Sequence, residues 1–121
     1  MLEDEMLKIK NICKHVYEEI LGYNGKNLNY LRNLFVDNLN ETWFIKQSLH
    51  KDMTNPRIEK IIKLVKLNCK NKIGIKLLGA GAGGFIMVTG VKNTNSLKKK
   101  LLKKKILSFN TSIDMYGSIF I

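Results

Sequence analysis

The chain has 121 residues, 45% of them apolar, and carries 21 Lys and Arg against 10 Asp and Glu, a net charge of +11. One ordinary domain with a modest core fits that size, and no apolar run reaches the roughly 18 to 20 residues of a membrane span. The start, Met1-Leu2-Glu3-Asp4-Glu5, is acidic where a secretory signal would be basic and then apolar, so a soluble cytoplasmic protein is expected, with no membrane contact.

Leu2 to Leu21 places Leu2, Met6, Ile9, Ile12 or Cys13, Val16 and Ile20 at helical spacing, one apolar stripe on a charged helix. Gly22-Tyr23-Asn24-Gly25 breaks it. Asn27 suits the cap of a second helix running to about Leu49, with a broad buried face of Leu28, Leu31, Leu34, Phe35, Leu39, Thr42, Trp43 and Ile45. Trp43, the single tryptophan, reads as a core or interdomain anchor. After a break over His50 to Thr54, Asn55-Pro56 is a strong helix start, because Asn caps well and Pro suits the first helical position. Ile58, Ile61, Ile62 and Val65 carry this third helix to about Asn68–Lys72.

The period then changes. Ile73 to Leu78 reads as a short strand, Gly79-Ala80-Gly81-Ala82-Gly83-Gly84 as a glycine loop, and Phe85 to Thr89 as a second strand. Ser96 through Leu107 is a fourth helix, with Leu97, Leu101, Leu102 and Ile106 on one side and Lys98 to Lys100 and Lys103 to Lys105 on the rest. Phe109 to Ile121 alternates as a last strand, with a bend at Gly117-Ser118. The sum is α+β, with helices on one face of a small, mainly antiparallel sheet in a single domain spanning 1–121.

Cys13 and Cys69 lack any CxxC spacing, and His15 and His50 do not complete a four-ligand set, so free thiols and no metal site are expected. The charge invites a nucleic-acid reading. Its source argues otherwise: only Arg32 and Arg57 are arginines, Lys, Asn and Ile share A- and T-rich codons, and no aromatics interleave with the lysines to stack on bases. A solvated lysine face is the expectation, and a small basic nucleic-acid-binding or structural interaction module is the alternative function.

Gly79-x-Gly81-x-x-Gly84 satisfies the dinucleotide pattern, but that site needs a helix directly after the loop and an acidic residue about 20 positions on. A β-like segment follows instead, and the next acidic residue is Asp114. A phosphate-binding P-loop fails too, since no Lys-Ser or Lys-Thr closes the motif. Glycines between two strands permit positive φ and close approach, and their amides can form an anion nest. The residues alone leave both a ligand loop and a tight structural bend open.

Gly74-Ile-Lys-Leu-Leu-Gly-Ala-Gly-Ala-Gly-Gly-Phe85 resembles the third, glycine-rich motif of the GHMP kinases, a superfamily named for galactose, homoserine, mevalonate and phosphomevalonate kinases. Asn40 to Leu49, Thr54 to Ile58, Ser108-Phe109 and Tyr116 to Ile119 resemble its D-glycero-D-manno-heptose 7-phosphate kinase branch, so the similarity covers nearly the whole chain. The resemblance implies the ferredoxin-like C-terminal domain of an ATP-dependent sugar kinase. It implies that Gly79, Ala80, Gly81, Ala82, Gly83 and Gly84 help shape the nucleotide and substrate cleft, with ATP, Mg²⁺ and a sugar phosphate as the ligands of the complete enzyme. Two positions depart from the motif: Ala82 replaces a common glycine, and Leu78 stands where many relatives have Ser or Thr. The resemblance places the family's phosphate loop, P-x-x-x-G-L-x-S-S, its catalytic Asp and its metal ligands in an N-terminal half, and the single proline here, Pro56, stands in a helix start, so that loop is absent. The expectation is therefore a chain with no catalytic residue of its own, inactive alone. It would work with a separate N-terminal kinase half or associate with itself. Arg57 is a weaker candidate for a sugar phosphate, against its reading as a surface residue in the first turn of a helix.

Overall fold

The structure, a computed structural model, describes residues 2–79 and 84–112. Among these residues are four helices, α1 (Leu2–Leu21), α2 (Leu28–Leu49), α3 (Pro56–Leu67) and α4 (Thr94–Lys103), and an antiparallel pair, β1 (Gly74–Leu78) and β2 (Phe85–Thr89). This is the α+β class expected, with two strands among the described residues. Of the anticipated last strand, residues 109–112 are not extended in a sheet, and 113–121 lie outside the described residues.

The caps are local and follow from single side chains. Asn27 Oδ1 accepts from Tyr30 N at 3.0 Å, Asn55 Oδ1 from Ile58 N at 3.0 Å ahead of Pro56, and Asn93 Oδ1 from Ser96 N at 3.0 Å. Each satisfies one of the amide donors that a helix start leaves open. His50 Nδ1 does the same for Asp52 N at 3.1 Å, starting a 3₁₀ turn over Lys51–Met53 inside the expected break.

The fourth helix starts at Thr94 instead of Ser96 and stops at Lys103, short of the expected Leu107. Lys105, with φ 59°, turns left-handed; its amide donates to Leu102 O at 2.9 Å, and Ile106 N donates back to Leu101 O at 3.0 Å. Those two bonds are the Schellman arrangement, in which the residue after the left-handed one packs on the last helical turn. Ile106 does so against Leu101. A lysine holds a position that glycine usually fills, so periodicity alone overran the helix end.

The core lies where α3 and α4 meet the ribbon: Val65, Ile73, Ile75, Leu97 and Leu101 are buried together, with Ile61, Leu64, Ile86 and Val88 around them. Ile75 is 1% exposed. Neighbouring strand residues point to opposite sides, so Gly74 faces away from this cluster. There α2 approaches so closely that a Cβ on Gly74 would stand 3.2 Å from Val36 Cα and 3.3 Å from Leu39 Cδ1. The expected one-face arrangement therefore holds for α3 and α4, while α2 crosses the other side of β1.

α2 also closes the outer edge of the ribbon. Asn40 Nδ2 donates to Ile73 O at 2.9 Å and Asn40 Oδ1 accepts from Ile75 N at 3.0 Å. One amide side chain reproduces the donor–acceptor pair of a neighbouring strand, leaving no bare edge at that point. At the far end of β2, Gly90 (φ +85°) sits against Val36, and its carbonyl accepts from Arg32 Nη2 and from Asn71 Nδ2 at 2.6 Å. Lys72 pairs with Asp37 beside it. Within α2, Leu34, Val36 and Ile45 are buried; Leu28 and Phe35, expected inside, are exposed.

Candidate functional site

β1 and β2 pair in register from Gly74↔Thr89 to Leu78↔Phe85, so the loop springs directly from the last pair. Residues 85–89 form a strand, which removes the helix that a dinucleotide grip requires. Gly79 (φ +113°) and Gly84 (φ +96°) flank the loop in a region that side-chain-bearing residues rarely adopt. At Gly84 a Cβ would stand 2.5 Å from Leu78 O, so glycine is the sole residue the turn admits without rearrangement. Ala80, Gly81, Ala82 and Gly83 lie outside the described residues. No side chain projects from the two described glycines, and the loop sequence carries no group able to donate or accept a proton in catalysis; what it offers a ligand is backbone.

The mouth of the hairpin is apolar. Phe85 and Phe109 meet edge to face, ring centroids 6.0 Å apart at 81°, and both are exposed, as is Leu78. Edge-to-face contact is the geometry that aromatic quadrupoles favour. The sequence showed each aromatic, but not that residues 24 positions apart meet beside the glycine loop.

Two grooves flank α3. One, of about 520 Å³, lies between α2 and α3 and is lined by Trp43, Gln47, Glu59 and Ile62 among others. Trp43 is half-buried on the wall of that groove and lies outside the core cluster. The second, of about 540 Å³, runs between α3 and the end of α4: Ile61, Leu64, Leu67 and Ile106 make its floor, and Arg57, Lys60, Lys63, Lys104 and Lys105 its rim. Arg57 is exposed at that rim and is not brought to the glycine loop among the groove's walls. The lysine run of α4 and its extension thus divides, with Lys104 and Lys105 facing the groove.

Cys13 is exposed and Cys69 is half-buried against the core, both as free thiols. Burial pushes the Cys69 thiol up, with Lys100 pulling weakly the other way. Among the described residues, no three His, Cys, Asp or Glu gather as metal ligands would, and no helix is long and apolar enough to cross a membrane.

No family model matches the chain, and neither a curated protein nor a solved structure is matched by it. What stands is the class: an α+β domain of four helices about a two-stranded antiparallel ribbon whose connection is a glycine loop.

Proposed function

We propose that this chain is the ferredoxin-like C-terminal domain of a GHMP-type, ATP-dependent sugar kinase of the heptose-phosphate kind. The observation that carries the reading is the hairpin: a glycine loop set between antiparallel strands, with Gly79 and Gly84 at positive φ and no room for a Cβ at Gly84. In this role the amides of Gly79 to Gly84 approach the phosphates of ATP, and the exposed Leu78, Phe85 and Phe109 contact the partner half that completes the cleft. ATP supplies the transferred phosphoryl group and Mg²⁺ its charge compensation; the cradle and metal ligands come from that other half. This chain contributes positioning, on which phosphoryl transfer depends almost entirely.

The test is reconstitution. The isolated chain should turn over no ATP with a heptose phosphate and Mg²⁺. Added to an N-terminal kinase half bearing P-x-x-x-G-L-x-S-S, it should restore turnover, and Gly84→Val should remove that restoration while the folded chain persists by circular dichroism. Turnover by the isolated chain would refute its inactivity alone, and failure of the folded wild-type chain to complement would sink the kinase reading.

A further inference from the structure

Among the described residues, two surfaces lie uncovered, and they are opposite in charge. α1 holds five of the ten acidic residues and three of the twenty-one basic ones, so it carries −2 while the rest of the chain carries +13. Its apolar stripe is wide, and α2 covers only half. Ile9, Ile12 and Val16 are half-buried, whereas Leu2, Met6, Cys13, Tyr17 and Ile20, on the adjoining face, are exposed. In the first turn this bare face is flanked by Glu3 and Glu5; Leu2 is 64% exposed and Met6 54%.

The groove between α3 and α4 is the converse. Its floor is aliphatic, and among the described residues five cations rim it and no carboxylate lines it. Leu67 on the floor is 75% exposed. The cations repel one another and gain when an anion enters. The α3 stretch from Arg57 to Leu67 spans about 15 Å at 1.5 Å per residue, room for about three turns of a second helix. Aromatic rings are absent from the lining among the described residues, and with them the stacking surface that bases need. An amphipathic helix laid apolar side down in a groove is a recurrent mode of recognition.

We propose that the acidic first turns of α1 dock in the α3–α4 groove of a second copy of this chain, with Leu2 and Met6 on the aliphatic floor and the carboxylates among the lysines. The contact uses different surfaces on the two copies. It is head-to-tail, and it extends beyond a dimer unless a ring closes. It does not depend on the kinase reading, because neither surface belongs to the glycine loop.

Sedimentation velocity across concentration at 50 and 500 mM NaCl tests it. Association should rise with concentration past the dimer and weaken about tenfold at the higher salt, as screened charge pairs do; association driven by apolar contact alone would not weaken. Glu3→Lys/Glu5→Lys in one variant and Lys60→Glu/Lys63→Glu in another should each give a monomer that remains helical by circular dichroism. Mixed, the two should associate again, since the second variant keeps an acidic α1 and the first keeps a basic groove. A wild-type monomer at millimolar concentration, self-association indifferent to salt and to both reversals, or a mixture that stays monomeric overturns the proposal. So does a groove that retains RNA in preference to a second copy.

Discussion

α1 and α4 are both amphipathic helices of this chain, and the shorter is the better buried. α1 runs for 20 residues with no buried residue, while α4, at 10, buries Leu97 and Leu101. The difference lies in what each helix faces. α4 sits against the ribbon and α3, where Ile75 and Val65 meet its leucines, and its last turn is fixed by the left-handed Lys105 and by Ile106. Among the described residues α1 packs chiefly on α2, joined to it by a hydrogen bond of 2.7 Å from Tyr30 OH to Glu19 Oε2. Stripe length does not set burial; the number of elements meeting the stripe does. A buried Leu or Ile contributes about 1.5–3 kcal/mol, so stability concentrates around the ribbon, and α1 should open locally at lower free energy than the rest.

The contrast is broken most forcefully from the core. Ile75→Ala should cost about 2–5 kcal/mol in chemical denaturation, while Ile12→Ala in α1 should cost about 1 kcal/mol or less; equal losses would erase the distinction. Next comes Asn40→Leu, which strips Ile73 O and Ile75 N of their partners. It should cost about 1–3 kcal/mol and speed hydrogen exchange at Ile75 without affecting α1. Gly84→Ala should destabilise by about 1–3 kcal/mol, because the new Cβ meets Leu78 O; strain at the hairpin should leave the helical circular dichroism intact.

Smaller effects sharpen the comparison at the helix ends. Lys105→Gly should stabilise the protein by about 1 kcal/mol, measured as a raised denaturation midpoint, since glycine takes the left-handed conformation without penalty. On α1, the hydrogen bond to Glu19 chiefly raises the Tyr30 phenol above its ordinary value of 10.0. A group with a raised folded pKa contributes fully below its ordinary value, and that contribution is lost as pH climbs through the folded value. Exchange protection of α1 should therefore decline in that alkaline window, and Tyr30→Phe should flatten the decline.

Much of the local architecture was legible because its causes lie within a few residues. Asn27 and Asn55-Pro56 capped the helices expected of them, and β-formers on both sides of Gly79–Gly84 announced the hairpin and excluded a dinucleotide helix. The end of α4 escaped because lysine, not glycine, holds the left-handed position. Around the candidate site, the glycines were readable, while the meeting of Phe85 with Phe109 and the basic groove were not: each brings together residues from separate elements.

By itself the sequence determined where α2 and α3 start, where the period changes from helix to strand, and that the glycine loop joins two strands, because capping and periodicity act between near neighbours. The tertiary structure alone decided that Asn40 closes the edge of β1, that Gly90 gathers Arg32 and Asn71, and that half of the α1 stripe stays in water. Those outcomes depend on elements 19 to 58 residues apart reaching one another, and burial follows from that meeting rather than from the pattern of any one segment.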